Sequence, residues 1–248
     1  MSEPLPFELE ALRGAVNYQR WVADTVAPHL GSRILEVGAG LGSLSRWLPL
    51  RDRLVLSEFD PALLPLLRAD VHQRFGADPR VTVVEADLGR EMPATIAAED
   101  LDTVVSFNVL EHVEDDAGAL DRLAAVLRRS PSPGERRIVT FVPAHPWAYG
   151  SVDAAYGHVR RYTAASFAAL ATKSCPDWRL ETRYFNVFGL PGWVLLGRVL
   201  RRRSVSVGAI RLFERLCPWI RDVDDLLHSL RLPLGQSLIA VLTLPRVR

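Results

Sequence analysis

A glycine-rich segment with an acidic residue inside it is the part of the sequence best suited to bind a ligand. Residues 32–42 read Ser-Arg-Ile-Leu-Glu-Val-Gly-Ala-Gly-Leu-Gly. The apolar residues predict a buried strand that turns sharply into a helix, and the glycines would let a ligand lie against bare backbone. Glu36 would repel a pyrophosphate but suits an ammonium group. Because Ser43 occupies the last glycine position of the dinucleotide motif, the pattern favours a nucleoside with a cationic amino-acid tail over NAD.

A second acidic residue follows the next predicted strand. Residues 54–57 are apolar except for Ser57. Glu58 comes directly after them, 16 residues beyond Gly42. An acid at such a strand end can hydrogen-bond both hydroxyls of a ribose. Asp60 precedes Pro61, a pair typical of a helix start, so we interpret it as a helix cap.

These segments resemble the class I S-adenosylmethionine (SAM)-dependent methyltransferases. Residues 36–42 are similar to the family motif Glu-x-Gly-x-Gly-x-Gly, and residues 85–88 and 108–113 follow in the order that the family requires. The resemblance implies SAM as the cofactor. It also implies that Asp87 accepts from the adenine amino group and that residues 108–113 lie beside the methionine part.

Tyr18 lies on a predicted N-terminal helix, residues 8–29, together with Asn17 and Trp21. Family analogues often cover the methionine end of the cofactor with an aromatic side chain from this region, whereas core packing is the alternative for an amphipathic helix. The cofactor-binding residues that we predict are Tyr18, Glu36, Gly38, Ala39, Gly40, Gly42, Glu58, Phe59, Asp87, Leu88, Asn108 and Val109.

The order of the patterns predicts an α/β fold. We expect a Rossmann-like, seven-stranded, mostly parallel sheet with helices on both faces and a helical insertion, residues 187–234, before the last strand. In the family the last strand runs antiparallel between its neighbours. We interpret residues 1–248 as a single methyltransferase domain. The remaining predicted strands are 81–84, 101–107, 137–142, 178–186 and 236–244, with helices at 119–129 and 163–172.

Two histidines after the fifth strand are candidate general bases. His145 and His158 belong to residues 143–163, which should lie over the carboxyl edge of the sheet, where open α/β folds bind ligands. Imidazole titrates near neutral pH and can accept the proton of an attacking hydroxyl.

The same region contains a Gly-His-Val-Arg-Arg-Tyr segment, residues 157–162. It resembles a segment of bacterial small-molecule methyltransferases of this class. Arg160 or Arg161 could hold a carboxylate or phosphate of the acceptor, and with Tyr162 they are the predicted substrate-binding residues. The alternative is an ordered loop whose arginines pair with local acids such as Asp153.

The insertion combines apolar and basic residues. Residues 187–197 are uncharged and precede Arg198 and residues 201–203, all arginine. Apolar residues then recur at steps of three and four through 207–220, which predicts an amphipathic helix. Such a surface could form a cap for a lipid-like acceptor, a dimer face or a contact with an anionic membrane.

Composition restricts the function classes. The chain has 248 residues, 48% of them hydrophobic, and a net charge of +1, which argues against a nucleic-acid partner held by a bulk positive field. Two cysteines are too few for a disulfide framework or a zinc site, and we predict no metal. The start of the sequence shows no secretory signal, so we expect a cytoplasmic protein. We expect it to be a monomer or a homodimer.

The resemblance implies an in-line transfer of the SAM methyl group to an oxygen, or less readily a nitrogen, of a small-molecule or lipid-like acceptor. Two alternatives stay open at this point. The cofactor loops would look the same in a SAM-fold enzyme that catalyses a non-methylating reaction, or in a non-catalytic SAM-binding partner.

Overall fold

A single mixed sheet organises the chain. The computed structural model describes residues 13–132, 134–230 and 232–245, so the predicted start of the first helix at residue 8 lies outside the described residues. The strands are β1 (Arg33–Val37), β2 (Arg53–Glu58), β3 (Val81–Glu85), β4 (Thr103–Phe107), β5 (Arg136–Pro143), β6 (Arg179–Phe185) and β7 (Ser237–Leu244).

The strand order is β3-β2-β1-β4-β5-β7-β6. Neighbours from β3 through β5 run parallel, whereas β7 runs antiparallel to both β5 and β6. The seven-stranded, mostly parallel sheet is therefore confirmed, and so is the antiparallel last strand. The carboxyl ends of β1, β2 and β4 share one edge, which is where the predicted cofactor residues lie.

Helices cover both faces of the sheet, as predicted. They are α1 (Val16–Val26), α2 (Leu64–Phe75), α3 (Ala94–Ala97), α4 (Asp116–Arg129), α5 (Ser151–Ala155), α6 (Ala164–Ser174), α7 (Gly189–Val194) and α8 (Val207–Ser229). One buried apolar cluster joins α4 and α6 to the sheet through residues such as Leu123 and Phe167. The other joins α1 and α2 to the opposite face through Trp21 and Leu67.

The prediction of a helix directly after the glycine segment is wrong. Only the 3₁₀ turn Ser45–Trp47 forms there. The backbone first turns through three glycines with positive φ. Pro49 then follows Trp47 by two residues and β2 begins at Arg53, which leaves too short a stretch for an α-helix.

The insertion before β7 is helical, as predicted, and α8 is fixed to the body of the molecule. The Glu214 carboxylate accepts from the backbone N–H groups of Asn17 and Tyr18 at 2.8 and 2.9 Å. Arg221 pairs with Asp24 at 2.6 Å. Within the described part of the chain, no helix is long and apolar enough to cross a bilayer.

Candidate active site

The glycine segment lies against the chain that follows β4. Gly38, Gly40 and Gly42 have φ values of 70, 57 and 75°, a left-handed conformation that side chains rarely adopt. A Cβ on Gly38 would lie 2.5 Å from Cγ2 of Val109. Both conformation and space therefore require glycine at position 38, and two of the predicted cofactor segments meet here.

Glu58 closes the same edge from β2. Its Oε2 atom accepts from the Gly40 N–H at 2.7 Å, and Oε1 accepts from the N–H groups of Phe59 and Asp60 at 2.9 and 3.0 Å. The Ala39 N–H donates to the Ser57 carbonyl at 2.9 Å. The glycine loop is thus fastened to the end of β2, with a carboxylate between the two.

Glu36 is a buried acid on the central strand β1. Its Oε2 has no hydrogen-bond partner among the described residues. Burial raises the pKa of Glu36 to about 7, and the nearby Ser45 hydroxyl and Arg74 guanidinium offset this only in part. An acid in this state gains a strong interaction when a cationic group arrives, which agrees with the ammonium group that the sequence predicts as its partner.

Three further predicted residues differ in their exposure. The Phe59 ring is 61% exposed beside Glu58, so it offers a free aromatic face. The Asp87 carboxylate accepts from the Gly89 N–H at 2.8 Å and pairs with Arg90 at 3.3 Å, but stays partly exposed. Leu88 is buried in the core, which leaves its backbone as the part that can contact a ligand.

Asn108 lies at the strand end that faces the glycine loop. It has a φ of 52°, and its N–H donates to the Phe141 carbonyl at 2.8 Å. The side chain is exposed. This conformation, which asparagine tolerates better than most residues, turns the chain back toward Gly38 through Val109.

Tyr18 belongs to an aromatic cluster between α1, β6 and α8. Its ring lies 6.4, 6.1 and 5.8 Å from those of Trp21, Phe185 and Phe213. Burial raises the pKa of its hydroxyl, which a hydrogen bond with Ser237 partly offsets. The ring therefore has a packing role, and its role as a cover for the cofactor stays a prediction.

His145 follows β5 in a strained conformation, with a φ of 62°. Its ring stacks on Tyr184, with centroids 4.9 Å apart and planes at 3°. The Nε2 atom is buried and has no hydrogen-bond partner among the described residues. Burial and the nearby Arg161 charge lower the pKa of His145, which favours the neutral imidazole that a general base needs.

Asp153, on the short helix α5, organises the segment around the second histidine. Its Oδ1 lies 2.9 Å from Nδ1 of His158 and accepts from Nε of Arg161 at 2.7 Å. Its Oδ2 accepts from the Trp193 indole at 3.0 Å. Although burial raises the pKa of Asp153, these donors lower it to about 2.

The same arrangement holds Arg161. Its side chain is buried, and its second donor bonds the Ala144 carbonyl at 2.7 Å. The Tyr162 hydroxyl is likewise turned inward, toward Asp116 at 3.0 Å. Internal partners already hold both groups, and direct contact of Arg161 or Tyr162 with an acceptor stays a prediction. The alternative of an ordered loop paired with Asp153 is the one that the structure favours.

Arg160 is the remaining predicted substrate contact. It pairs with Asp116 at 2.6 Å and donates to the Glu114 carbonyl at 2.7 Å. Its side chain is 26% exposed, so part of the guanidinium faces solvent. Binding of an anionic acceptor group at Arg160 stays a prediction.

His158 also faces two residues from the segment after β4. Side-chain ligand atoms of Glu111, His112 and His158 lie within 4.8 Å of one another, an arrangement that can hold a divalent cation. Two of these residues also have partners within the chain, because His112 contacts the Gly157 carbonyl at 3.2 Å and His158 contacts Asp153 at 2.9 Å. Burial and His158 lower the pKa of His112 to about 4. The absence of a metal stays a prediction.

The sequence reasoning missed two contributors to this site. Asp153 was named only as a possible partner of an arginine, although its spacing of five and eight residues from His158 and Arg161 was visible. Arg74 was missed because it lies on α2, where its pair with Asp70 covers the glycine loop at Gly42. No local signal marks that contact.

The fold and these residues together define the architecture of a class I SAM-dependent methyltransferase, and the resemblance noted in the sequence is confirmed. Residues 35–130 match the model of the family described as a methyltransferase domain. SAM is the cofactor of this class. A SAM-dependent methyltransferase from Mesorhizobium loti superposes with a TM-score of 0.56 at 16% identity, over 89% of this chain and 96% of that chain. At that identity the likeness concerns the fold alone.

Curated relatives cover a smaller part of the chain. The small subunit ribosomal RNA methyltransferase A of Geobacter sulfurreducens is 34% identical over 119 residues, 44% of this chain and 42% of the relative. A ubiquinone biosynthesis O-methyltransferase from Aeromonas salmonicida is 30% identical over 129 residues, 52% of this chain and 51% of the relative. The chain therefore matches about half of each relative or less.

Proposed function

We propose that this protein transfers the methyl group of SAM to an oxygen atom of a small-molecule or lipid-like acceptor by in-line displacement. The observation that carries the proposal is the contact of Glu58 with the Gly40 N–H at 2.7 Å. It holds a carboxylate at the glycine loop, beside the buried Glu36. One acid suits the ribose of SAM and the other its ammonium group.

Cofactor alignment is the main contribution that we assign to the protein. The sulfonium already makes the methyl group reactive, so the site has to orient the acceptor and exclude water. Orientation contributes an effective molarity of about 10⁵–10⁸ M, whereas a general base contributes about 10²–10⁴-fold. We therefore expect loss of both acids, Glu36 and Glu58, to lower kcat/KM more than substitution of one histidine.

His145 is the better placed of the two candidate bases. Its buried Nε2 has no described partner, whereas Nδ1 of His158 is held by Asp153. We assign proton removal from the acceptor hydroxyl to His145 and a positioning role to His158. His145→Ala should lower kcat about 10²-fold or more and leave the dissociation constant of SAM unchanged. The exposed His72→Ala is the matched control, and equal kcat values in both variants would contradict the assignment.

Oxygen as the acceptor atom is supported by the relatives named for ubiquinone biosynthesis O-methylation. The relatives named for ribosomal RNA methylation support a second candidate, a nucleic-acid acceptor. The net charge of +1 favours the first, because nucleic-acid binding depends mainly on positive charge.

Isothermal titration with SAM, S-adenosylhomocysteine and NAD tests the cofactor part. We expect binding of the first two and none of NAD, and binding of NAD alone would overturn the proposal. Mass spectrometry of hydroxylated acceptors, with a ribosomal RNA fragment in parallel, tests the acceptor. A gain of one methyl group by a hydroxyl supports the proposal, whereas methylation of the RNA alone replaces it with the second candidate. Parallel assays with a chelator show whether the Glu111–His112–His158 set holds a metal.

A further inference from the structure

The outer side of α8 carries a continuous apolar stripe. Its members follow one another at steps of four, three, four, three and four residues, a spacing that places them on one side of a helix. All are at least 40% exposed, and Trp219 is 76% exposed. The α8 stripe consists of Leu212, Leu216, Trp219, Val223, Leu226 and Leu230.

The opposite side of α8 fixes this orientation. Cys217 and Asp224 are buried, and Asp224 accepts from the Val187 N–H at 2.7 Å. With the contacts of Glu214 and Arg221 to α1, these interactions hold the helix along its length. The stripe therefore cannot turn inward without breaking them. A contiguous apolar surface of this kind marks an interaction site.

Exposed arginines lie before α8 and in its first half, next to the start of the stripe. Arg201, Arg202 and Arg203 precede the helix, and Arg211 and Arg215 lie on it, all exposed. None of the five forms an ion pair with another described residue. Leu195, Val199 and Leu200, just before the first arginines, are each at least half exposed, so apolar and cationic groups share one surface.

The acidic residues of the insertion do not neutralise this surface. Residues 187–234 contain eight arginines and four acidic residues, although the whole chain has a net charge of only +1. Glu214 faces α1, Asp224 is buried and Asp225 pairs with Arg183. Asp222 is the remaining acid. The surface is thus apolar with a local excess of positive charge.

We propose that the α8 stripe and its arginines dock the protein onto an anionic membrane surface. Apolar side chains enter the interface while arginines at the edge meet lipid phosphates, the arrangement of an interfacial amphipathic helix. A second copy of the chain is a less suitable partner. A two-fold axis through the stripe would bring the arginines of both copies together, and each copy has only Asp222 as a remaining acid in the insertion to offset their charge. The proposal concerns binding and does not require the proposed methyl transfer.

Co-sedimentation with vesicles tests the proposal on the full chain. We expect pelleting with vesicles that contain about 30 mol% phosphatidylglycerol, little pelleting with phosphatidylcholine alone, and release at about 1 M salt, where charges are screened within about 3 Å. Each Arg→Gln change at residues 201–203 should lower the partition coefficient about fivefold. Trp219→Glu should lower it at least about tenfold.

Matched controls come from α2, on another part of the surface. Leu66→Glu also replaces an exposed apolar residue, and Arg68→Gln an exposed arginine. Both should pellet like the unaltered protein. The proposal is overturned by absence of pelleting, by equal pelleting with neutral vesicles, or by equal losses in the controls. A dimer in sedimentation velocity that Trp219→Glu dissociates, without vesicle binding, would assign the stripe to a second copy.

Discussion

Glu58→Gln gives the sharpest test of the cofactor site. The Glu58 carboxylate accepts three backbone N–H groups, about three of the roughly four lone-pair sites that a carboxylate offers. The remaining site and the negative charge are available to a ribose hydroxyl. Glutamine keeps the size of the side chain but replaces one acceptor oxygen with an NH₂ group, which must then face a backbone N–H.

The magnitude follows from these contacts. A hydrogen bond to a charged group contributes about 1.5–3 kcal/mol, and the displaced loop at Gly40 adds to its loss. We expect SAM binding to weaken by about 2–3 kcal/mol, which corresponds to about 30- to 150-fold in Kd. S-adenosylhomocysteine and 5′-methylthioadenosine should lose affinity by a similar factor because all three carry the same ribose.

Isothermal titration measures the effect, and Asp60→Asn is its control. The Asp60 carboxylate accepts from the Ala62 N–H at 2.8 Å, in the turn before α2. The N-cap of α2 is Leu63, so the prediction that Asp60 caps this helix is wrong. Asp60→Asn should alter Kd less than about twofold. A Glu58→Gln protein that is folded by circular dichroism and binds SAM within twofold of the unaltered protein would refute the ribose assignment.

Three further predictions concern an acid, a glycine and a buried ion pair. Because the pKa of Glu36 is raised to about 7, the stability that this group contributes is present below its unfolded pKa near 4.5 and is lost as pH rises to about 7. SAM binding should strengthen by about tenfold in total between pH 6 and 8 and level off above that range. Glu36→Gln should flatten this affinity profile, and an unchanged profile would contradict its origin in Glu36. Gly38→Ala places a Cβ 2.5 Å from Val109 and should abolish measurable SAM binding. Gly76→Ala, with φ 61° and ψ −131° but open space around it, should cost about 1–3 kcal/mol of stability in urea unfolding. Asp153→Asn leaves the buried Arg161 without its charge partner and should lower the free energy of unfolding by about 3–5 kcal/mol. The exposed Asp121→Asn should lower it by less than about 0.5 kcal/mol. Since the pKa of Asp153 is lowered to about 2, its stabilisation is present above the unfolded pKa near 4 and is lost as pH falls toward 2.

The strands were predictable because their signals are local. A buried parallel strand is a short apolar run, so residues 54–57 place β2 within one residue at each end. Glu58 followed from the same run, since a residue after a parallel strand must lie at the carboxyl edge. The prediction of a helix after the glycines was wrong because the short distance to β2 and Pro49 prevent an α-helix there, and the glycine pattern itself does not show either constraint.

The segment after β5 was less predictable because its side chains form hydrogen bonds with residues that are distant in the sequence. The types of His158 and Arg161 suit substrate binding as well as they suit an internal network. Their direction is decided by Asp153 on α5 and by Trp193, 40 residues further along the chain. No periodicity in the sequence relates Trp193 to the segment.

The contact between Asp153 and Trp193 also joins the segment after β5 to the insertion. A Cβ on Gly150 would lie 2.7 Å from the Gly197 carbonyl carbon, and the Ser151 hydroxyl donates to the Gly197 carbonyl at 2.9 Å. Because of these close contacts, a movement of the insertion would also move residues 150–153. His145 lies five residues before Gly150, stacked on Tyr184. The segment that carries the proposed base is therefore joined by direct contacts to the insertion that carries the α8 stripe.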